Sequence, residues 1–407
     1  MDLLRKHVGA NERFDLVVGV IADTSKGQGD TTKTQKYCGF KSACMFRARC
    51  PSQAINAARA LVKPARMIGT KVLTQITGKV GCAHLRMPQF SEHMKQWEAM
   101  CRQGGKFGAG THAGVLIAGV VMVKGVVCLS YTYTQDFTKC AVLFARKQGR
   151  GRKAFTCLFE LFQRMLERWN ELNGTRTLPC VIHLFRKDNI DDNLRETALA
   201  EERDAMNKGI AAFTQANFAA GTHPPQLFVN LFNAKTKIET SSPLPAMTYV
   251  AGNDTTTAHI LETPREFLLQ YNDPRKPNQP NRLAKVTVLP NDVATFDSLR
   301  HHPANSRGRN AYENVLKYNI WVTLRTSFAY INWPGMISWP HVLQYARNGA
   351  EFMVDGVMTY RSGAYGDLTN GPPRRVDGGG DEEIADYFRK VNNHIRQSGL
   401  DGKHFMI

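Results

Sequence analysis

The sequence predicts an α/β fold in two unequal parts, because strand and helix patterns alternate early in the chain and are arranged differently later. Near the amino terminus, the buried-strand pattern DLVVGVI at 15–21 precedes a polar loop and a helix-like segment at 53–62. Such alternation is typical of an α/β layer. From residue 113 onwards, three strand patterns and a long amphipathic helix follow one another. We predict a partial, Rossmann-like domain over 1–100 and a larger domain over 101–407.

The larger domain begins with three strands joined by short connections. AGVLIAGVVMV (113–123) and VVCLSYTYT (126–134) are separated by a Lys-Gly turn, and CAVLFAR (140–146) follows. These short connections predict an antiparallel meander. A helix with apolar residues at i, i+3, i+4 and i+7 spans 155–172, and the buried strand CVIHLF comes next at 180–185. This is the order of an RNase H-like core, a mixed sheet flanked by helices.

The remainder of the larger domain mixes helix, strand and loop patterns. The strand patterns 266–271 and 283–289 lie on either side of a turn that is rich in Pro and Asn, and they predict a β-hairpin. The predicted helices are 196–218, 311–331, 340–353 and 383–397, and the predicted strands are 227–232, 266–271 and 283–289.

The net charge of +18 over 407 residues predicts an anionic partner. Nucleic acid is the first expectation, and an anionic membrane surface or a merely solvated basic surface are the alternatives. No apolar stretch reaches the length of a membrane span, so we expect no membrane partner. The start of the chain has no signal-peptide pattern, and nine cysteines without a CxxC pair indicate reduced thiols. We expect a cytoplasmic protein, with a nuclear or mitochondrial location as the alternative.

Six blocks of the sequence, in order along nearly the whole chain, resemble the Argonaute/Piwi family. In that family they belong to the MID and PIWI domains, and there is no room here for the family's N and PAZ domains. The resemblance implies RNA or DNA binding and a role in RNA silencing. The blocks are Tyr37–Lys41, Gln75–Gly81, Pro179–Asn193, 227–238, Thr263–Asp292 and Ile337–Arg347.

The resemblance implies a pocket for the 5′-phosphate of a guide strand. Tyr37 stands where the family stacks an aromatic ring on the first base, and Lys41 and Lys79 stand at two lysine positions that grip the phosphate. Arg49 falls where the family has a Gln, and Gln75 falls where it has a Lys, so three cations and one amide remain. An Arg fork suits phosphate geometry. The apolar end of the chain, with the carboxylate of Ile407, is expected to lie beside this pocket.

The same resemblance implies a slicing site that has lost most of its residues. RNase H-like cleavage needs two divalent cations about 4 Å apart, held by carboxylates. Asp188 matches one family Asp, but Val120 stands at the first Asp, Lys153 at the Glu and Arg347 at the final His. Cations repel a metal ion. We therefore expect no metal site, no cofactor and no cleavage.

Three functions remain open at this point. The first is a cleavage-dead protein that holds a small RNA or DNA guide and recognises a complementary target. The second is a guide-free scaffold subunit of a ribonucleoprotein particle. The third is an active Mg²⁺-dependent endonuclease with relocated carboxylates, for which Asp136, Asp191 and Asp192 are the candidates, although turn residues are the simpler interpretation of all three.

Overall fold

Two β-sheets organise the residues that the computed structural model describes. The smaller sheet lies near the amino terminus, and the larger one runs through the rest of the chain. The described residues are 15–21, 40–41, 44–56, 72–73, 75–80, 111–133, 139–147, 156–173, 176–188, 195–233, 239–240, 249–251, 266–271, 281–289, 339–354, 381–403 and 405.

The smaller sheet consists of two parallel strands, β1 (Val17–Ile21) and β2 (Ser52–Asn56). β1 is the strand predicted at 15–21. The helix predicted at 53–62 is wrong over its first residues, which form β2. An alternating, half-buried segment of this length cannot be distinguished by pattern from one turn of an amphipathic helix. A short π-helical segment, Cys44–Ala48, leads into β2.

The larger sheet begins with the predicted antiparallel meander. Its strands are β3 (Val115–Val123), β4 (Val126–Thr132) and β5 (Cys140–Arg146). The tight turn between β3 and β4 is formed by Lys124 and Gly125, with φ angles of 46° and 81°. Left-handed angles at both central residues match the twist of a two-residue hairpin.

Parallel pairing extends the sheet beyond the meander. β6 (Val181–Lys187) pairs in parallel with β3, and β7 (Gln226–Asn233) pairs in parallel with β6. The remaining strands are short or antiparallel: β8 (Glu239–Thr240), β9 (Tyr249–Ala251), β10 (Glu266–Tyr271) and β11 (Asn281–Val288). The order β5-β4-β3-β6-β7-β11-β10-β9 is that of the predicted RNase H-like mixed sheet, and β10–β11 is the predicted hairpin.

Helices cover both faces of this sheet. α1 (Thr156–Leu172) and α2 (Arg195–Asn217) pack on one face, and they approach most closely at Gly209, where an added Cβ would lie 2.5 Å from the Phe159 carbonyl oxygen. α3 (His341–Phe352) and α4 (Asp381–Gln397) pack on the other face. Each face therefore has its own apolar core, as the amphipathic patterns require.

Contact between α3 and the sheet depends on a glycine. A Cβ at Gly119 of β3 would lie 2.6 Å from the backbone nitrogen of Leu343, so no larger residue fits beneath the helix. The Ser130 hydroxyl of β4 donates a hydrogen bond to the Val342 carbonyl at the start of α3. These contacts fix the start of α3 over the middle of β3.

The predicted domain boundary near residue 100 lies outside the described residues, as does the predicted helix at 311–331, and both stay predictions. Within the described part of the chain, no helix has the length and apolar character required to span a membrane.

Candidate nucleic-acid interface

Among the described residues of the amino-terminal part, Lys79 is the most deeply buried cation, with an exposed fraction of 0%. Its ammonium group donates hydrogen bonds to the Ser52 carbonyl (2.8 Å) and to Oε1 of Gln53 (2.6 Å). The Gln53 amide nitrogen in turn donates to Oε1 of Gln75 at 3.1 Å. β2 and the helical residues 75–79 thus bring together one ammonium group and two side-chain amides.

Both hydrogen-bond acceptors of Lys79 are neutral oxygens. An ammonium group has three N–H donors, and two are used here. Burial lowers the pKa of Lys79 well below its ordinary value, and the nearby charge of Lys41 lowers that pKa further. A buried cation beside a second cation is stabilised by an anion between them.

The structure brings three of the predicted pocket residues into this region: Lys41, Gln75 and Lys79. Arg49 is exposed and adopts a left-handed φ of 52°. Burial lowers the pKa of the His394 imidazole, and the nearby charge of Arg49 lowers that pKa further. The amide beside Lys79 comes from Gln53, which the sequence analysis did not select. The helix predicted at 53–62 concealed it, because Gln53 lies on strand β2. Tyr37 and Ile407 lie outside the described residues.

The carboxyl-terminal segment packs against the amino-terminal part near this pocket. Nε2 of His394 on α4 lies 3.0 Å from the Met45 carbonyl oxygen, and its ring is 5.4 Å from that of Phe46. Burial raises the pKa of the Cys50 thiol to about 11, while the charge of Lys403 opposes that rise. Residues 44–50 therefore lie close to α4 and to Lys403, which joins the cations of this region. The expected position of Ile407 beside the pocket stays a prediction.

Three of the four predicted slicing positions, Val120, Asp188 and Arg347, lie in the described part of the chain. Asp188 follows β6, and its backbone N–H donates to the Phe232 carbonyl of β7 at 2.9 Å. Arg347 lies on α3. Val120 is buried against α1 and α2, on the opposite sheet face from α3, whereas its neighbour Val121 faces α3. Lys153 lies outside the described residues, as do Asp136, Asp191 and Asp192.

A buried ion pair lies beside Val120. Val120 is aligned with Arg186 across the parallel pair of β3 and β6. The Arg186 guanidinium makes two hydrogen bonds of 2.8 Å to the carboxylate of Glu202 on α2, and both side chains are almost fully buried. On this face of the sheet a carboxylate is thus bound by an arginine.

Cation and aromatic side chains meet on the opposite sheet face. The Arg347 guanidinium carbon lies 5.2 Å from the centroid of the Trp339 ring, and Nζ of Lys187 lies 5.4 Å from the same centroid. Across the described residues, no group of three or more His, Cys, Asp or Glu side chains is arranged to hold a metal ion.

A separate cavity of about 430 Å³ lies between α1 and α4, next to the edge strand β5. Its arginines already bind carboxylates: Arg168 contacts Asp401 at 2.5 Å and Glu171 at 2.9 Å, and Arg389 contacts Asp386 at 3.1 Å. The cavity is polar but its charges are compensated internally, unlike those around Lys79.

Comparison of structures identifies the fold. A crystal structure of Kluyveromyces polysporus Argonaute with a guide RNA matches 95% of this chain with a TM-score of 0.64 and 10% identity. The crystal structure of the C-terminal lobe of a budding yeast Argonaute matches the same share with a TM-score of 0.62 and 10% identity. The chain spans 43% of the first protein and 71% of the second. No protein-family model and no curated protein sequence matches this chain.

The chain therefore has a mixed α/β fold of the kind found in nucleic-acid-binding Argonaute proteins. More particularly, it has the fold of the C-terminal, MID–PIWI lobe of an Argonaute. At 10% identity this likeness establishes the fold, as the order of the sequence blocks predicted.

Proposed function

We propose that this protein holds a small guide strand by its 5′-phosphate, uses it to recognise a complementary RNA or DNA target, and does not cut that target. In this function it acts in RNA silencing. The pocket for the phosphate is formed by Lys41, Gln53, Gln75 and Lys79. Tyr37 stacks on the first base, and the carboxyl-terminal segment closes one side.

The observation that carries this proposal is the environment of Lys79. Its ammonium is fully buried, contacts neutral oxygens and lies near a second lysine. Burying a charge in this way is unfavourable unless an opposite charge accompanies it. A phosphate monoester carries about −1.5 to −2 at neutral pH and accepts charge-assisted hydrogen bonds, so it supplies that charge.

Two further observations support the proposal. The similar Kluyveromyces polysporus protein was crystallised with a guide RNA, and the match covers 95% of this chain. The positions that the resemblance implies for catalysis carry Val120, Lys153 and Arg347 in place of metal ligands. Loss of cleavage follows if no other carboxylates replace them.

The test compares two strands of one sequence, one with a 5′-phosphate and one with a 5′-hydroxyl. We expect the intact protein to bind the phosphorylated strand about 10- to 100-fold more tightly, as charged hydrogen bonds of this kind imply. Lys79→Met is expected to abolish the preference. Lys208→Met is the matched control, because Lys208 is 68% exposed on α2 and its loss also lowers the charge by one.

Equal affinity of the intact protein for the two strands contradicts the guide function. Metal-dependent cutting of the target that is lost in Asp188→Ala contradicts the absence of cleavage and favours the relocated nuclease. Because Lys79→Met removes a buried charge, its thermal unfolding midpoint is expected to stay at or above that of the unaltered protein. Loss of preference in a folded variant is therefore attributable to the pocket.

A ribonucleoprotein scaffold without a guide is the second candidate, and the net charge of +18 is the observation that favours it. Such a protein binds RNA through its whole basic surface. In the same experiment, a scaffold of this kind is expected to bind the 5′-phosphorylated and the 5′-hydroxyl strand tightly and with equal affinity.

A further inference from the structure

Two cations share one tryptophan at the carboxyl edge of the parallel strands. We call Lys187, Trp339 and Arg347 the Trp339 cluster. Both charged groups lie within 5.4 Å of the Trp339 ring centroid, and the Phe232 ring packs 6.2 Å from it on β7. Trp339 itself is 6% exposed, so surrounding residues hold its ring in place while the two flexible side chains pack against it.

The cluster is located where an α/β sheet binds ligands. β3, β6 and β7 run in parallel, and Lys187 is the last residue of β6. Ligands of such sheets bind outside the carboxyl ends of the strands. The close contact of Gly119 with α3 fixes the helix that carries Arg347 against this edge.

Divalent metal ions do not fit this arrangement. On the sheet face that carries α3, the described side chains at the ends of β3 and β6 are Val121 and Lys187, and α3 supplies Arg347. Asp188 lies next to Lys187, and the carboxylate of Glu351 binds Nε of Arg347 at 2.7 Å. Magnesium requires several oxygen ligands, and two cations at the same position repel it.

We infer that Lys187 and Arg347 bind a backbone phosphate of the nucleic acid at the edge where the resemblance implies metal ions. This inference rests on the proposed function and identifies a second contact of the same nucleic acid, distant from its 5′ end. Both charged groups lie within 5.4 Å of the Trp339 ring centroid, so one phosphate at the rim of the ring is within reach of both long side chains. The ligand is one phosphodiester of the strand, recognised without regard to base sequence.

The chemistry of the two side chains suits a phosphodiester. A guanidinium that packs on an aromatic ring is held in one plane and presents its remaining N–H groups as a fork, and lysine adds a point charge. The Arg347–Glu351 pair is partly exposed, with side-chain exposures of 38% and 44%. Pairs of this kind contribute about 0–1 kcal/mol, so Arg347 is available to a phosphate.

The test measures binding of a guide–target duplex whose guide has a 5′-hydroxyl, across a range of salt concentrations. Arg347→Ala and Lys187→Ala are each expected to weaken binding roughly tenfold near 0.15 M salt, and to reduce the salt slope by about 1. The effect is expected to be the same for unrelated sequences. Lys208→Ala and Lys390→Ala are the controls, because both residues are more than 60% exposed on helix surfaces.

A further variant distinguishes the contribution of the stacked guanidinium group from that of its positive charge. Arg347→Lys retains the cation and is expected to recover the salt slope but only part of the affinity. Unchanged duplex binding and salt slope in both alanine variants overturn the inference, provided that their unfolding midpoints match that of the unaltered protein. A loss of affinity no larger than that of the two control variants also overturns it, because charge removal anywhere then accounts for the effect.

The outcomes distinguish this inference from the proposed function. The ratio of affinities for 5′-phosphorylated and 5′-hydroxyl single strands is expected to be unaltered in Arg347→Ala and Lys187→Ala. If that ratio is near 1 in the unaltered protein while the alanine variants still weaken duplex binding, the guide function fails and the phosphate contact stands. If the ratio is large but the duplex measurements are unaffected by the variants, the guide function stands and the phosphate contact at the Trp339 cluster fails.

Discussion

Lys79 and Arg186 are both buried cations, but their surroundings differ in one respect. Arg186 is bound by two hydrogen bonds to the carboxylate of Glu202, whereas Lys79 contacts a backbone carbonyl and an amide oxygen. The first cation is compensated within the fold. The second has its pKa lowered by burial and by Lys41, and in the proposed function a bound phosphate compensates its charge. Burial of charge thus stabilises structure in one region and prepares binding in the other.

The largest expected effect comes from breaking the compensated pair. Glu202→Ala leaves the Arg186 guanidinium buried opposite no carboxylate, and we expect the free energy of unfolding to fall by about 3–5 kcal/mol. Denaturant unfolding of the variant measures this loss. The expected effect on the 5′-phosphate preference, measured under conditions where the variant is folded, is none.

The control for this change is Asp204→Ala on the same helix. Asp204 forms an ion pair with Lys208 at 2.6 Å, and both side chains are more than 60% exposed. Surface pairs of this kind contribute about 0–1 kcal/mol. A Glu202→Ala loss no greater than that of Asp204→Ala contradicts the assignment of Arg186 as a compensated, structural cation.

The next largest effect is expected when Lys79 is given a carboxylate partner, as Arg186 has in Glu202. Gln53→Glu places a carboxylate at the atom that already lies 2.6 Å from the Lys79 ammonium. We expect the free energy of unfolding to rise, because the buried cation acquires an opposite charge. The affinity for a 5′-phosphate is expected to fall at least about tenfold, since the new carboxylate repels the phosphate and occupies Lys79.

Gln75→Glu serves as the comparison for this variant, because Gln75 contacts Gln53 rather than Lys79. It is expected to lower the affinity for a 5′-phosphate less and to leave stability nearly unaltered. If Gln53→Glu binds the phosphorylated strand as tightly as the unaltered protein does, Lys79 is not the residue that holds the phosphate.

The difference between the two regions also explains what the sequence could predict. The meander, the helices α1 to α4 and the strands β6 and β7 were predicted correctly, because long apolar patterns depend on burial against a sheet. Gln53 was not selected, because five residues of alternating pattern do not distinguish strand from helix. The partner of Arg186 was also unpredictable, since Glu202 lies on a helix whose position depends on tertiary packing.

At the carboxyl edge, the sequence predicted residue types better than their arrangement. It identified Arg347 as a cation in place of a metal ligand, and Asp188 as the residue that follows the strand. It did not identify Lys187 or Trp339, because a strand pattern does not show which residues meet a helix that follows 150 positions later in the chain. Neighbouring residues of a strand point to opposite faces, but which of Val120 and Val121 faces α3 required the packing of that helix to be known.

The smallest expected effect is a pH dependence with opposite signs for stability and binding. The folded-state pKa of Lys79 is below its unfolded value of about 10.4, so the unfolded chain binds more protons between these two values. The contribution of Lys79 to the free energy of unfolding therefore rises with pH in that window. The preference for a 5′-phosphate falls in the same window, because the neutral amine no longer attracts the anion.

Affinities for phosphorylated and unphosphorylated DNA strands, measured from pH 7 upwards, test this prediction together with unfolding curves of the free protein. In Lys79→Met, the 5′-phosphate preference and the free energy of unfolding are both expected to lose the pH dependence that Lys79 contributes, because the titrating group is gone. A preference that stays constant until the pH reaches the ordinary lysine range contradicts a lowered pKa. It indicates that Lys79 is already compensated, as Arg186 is, by a carboxylate of the fold.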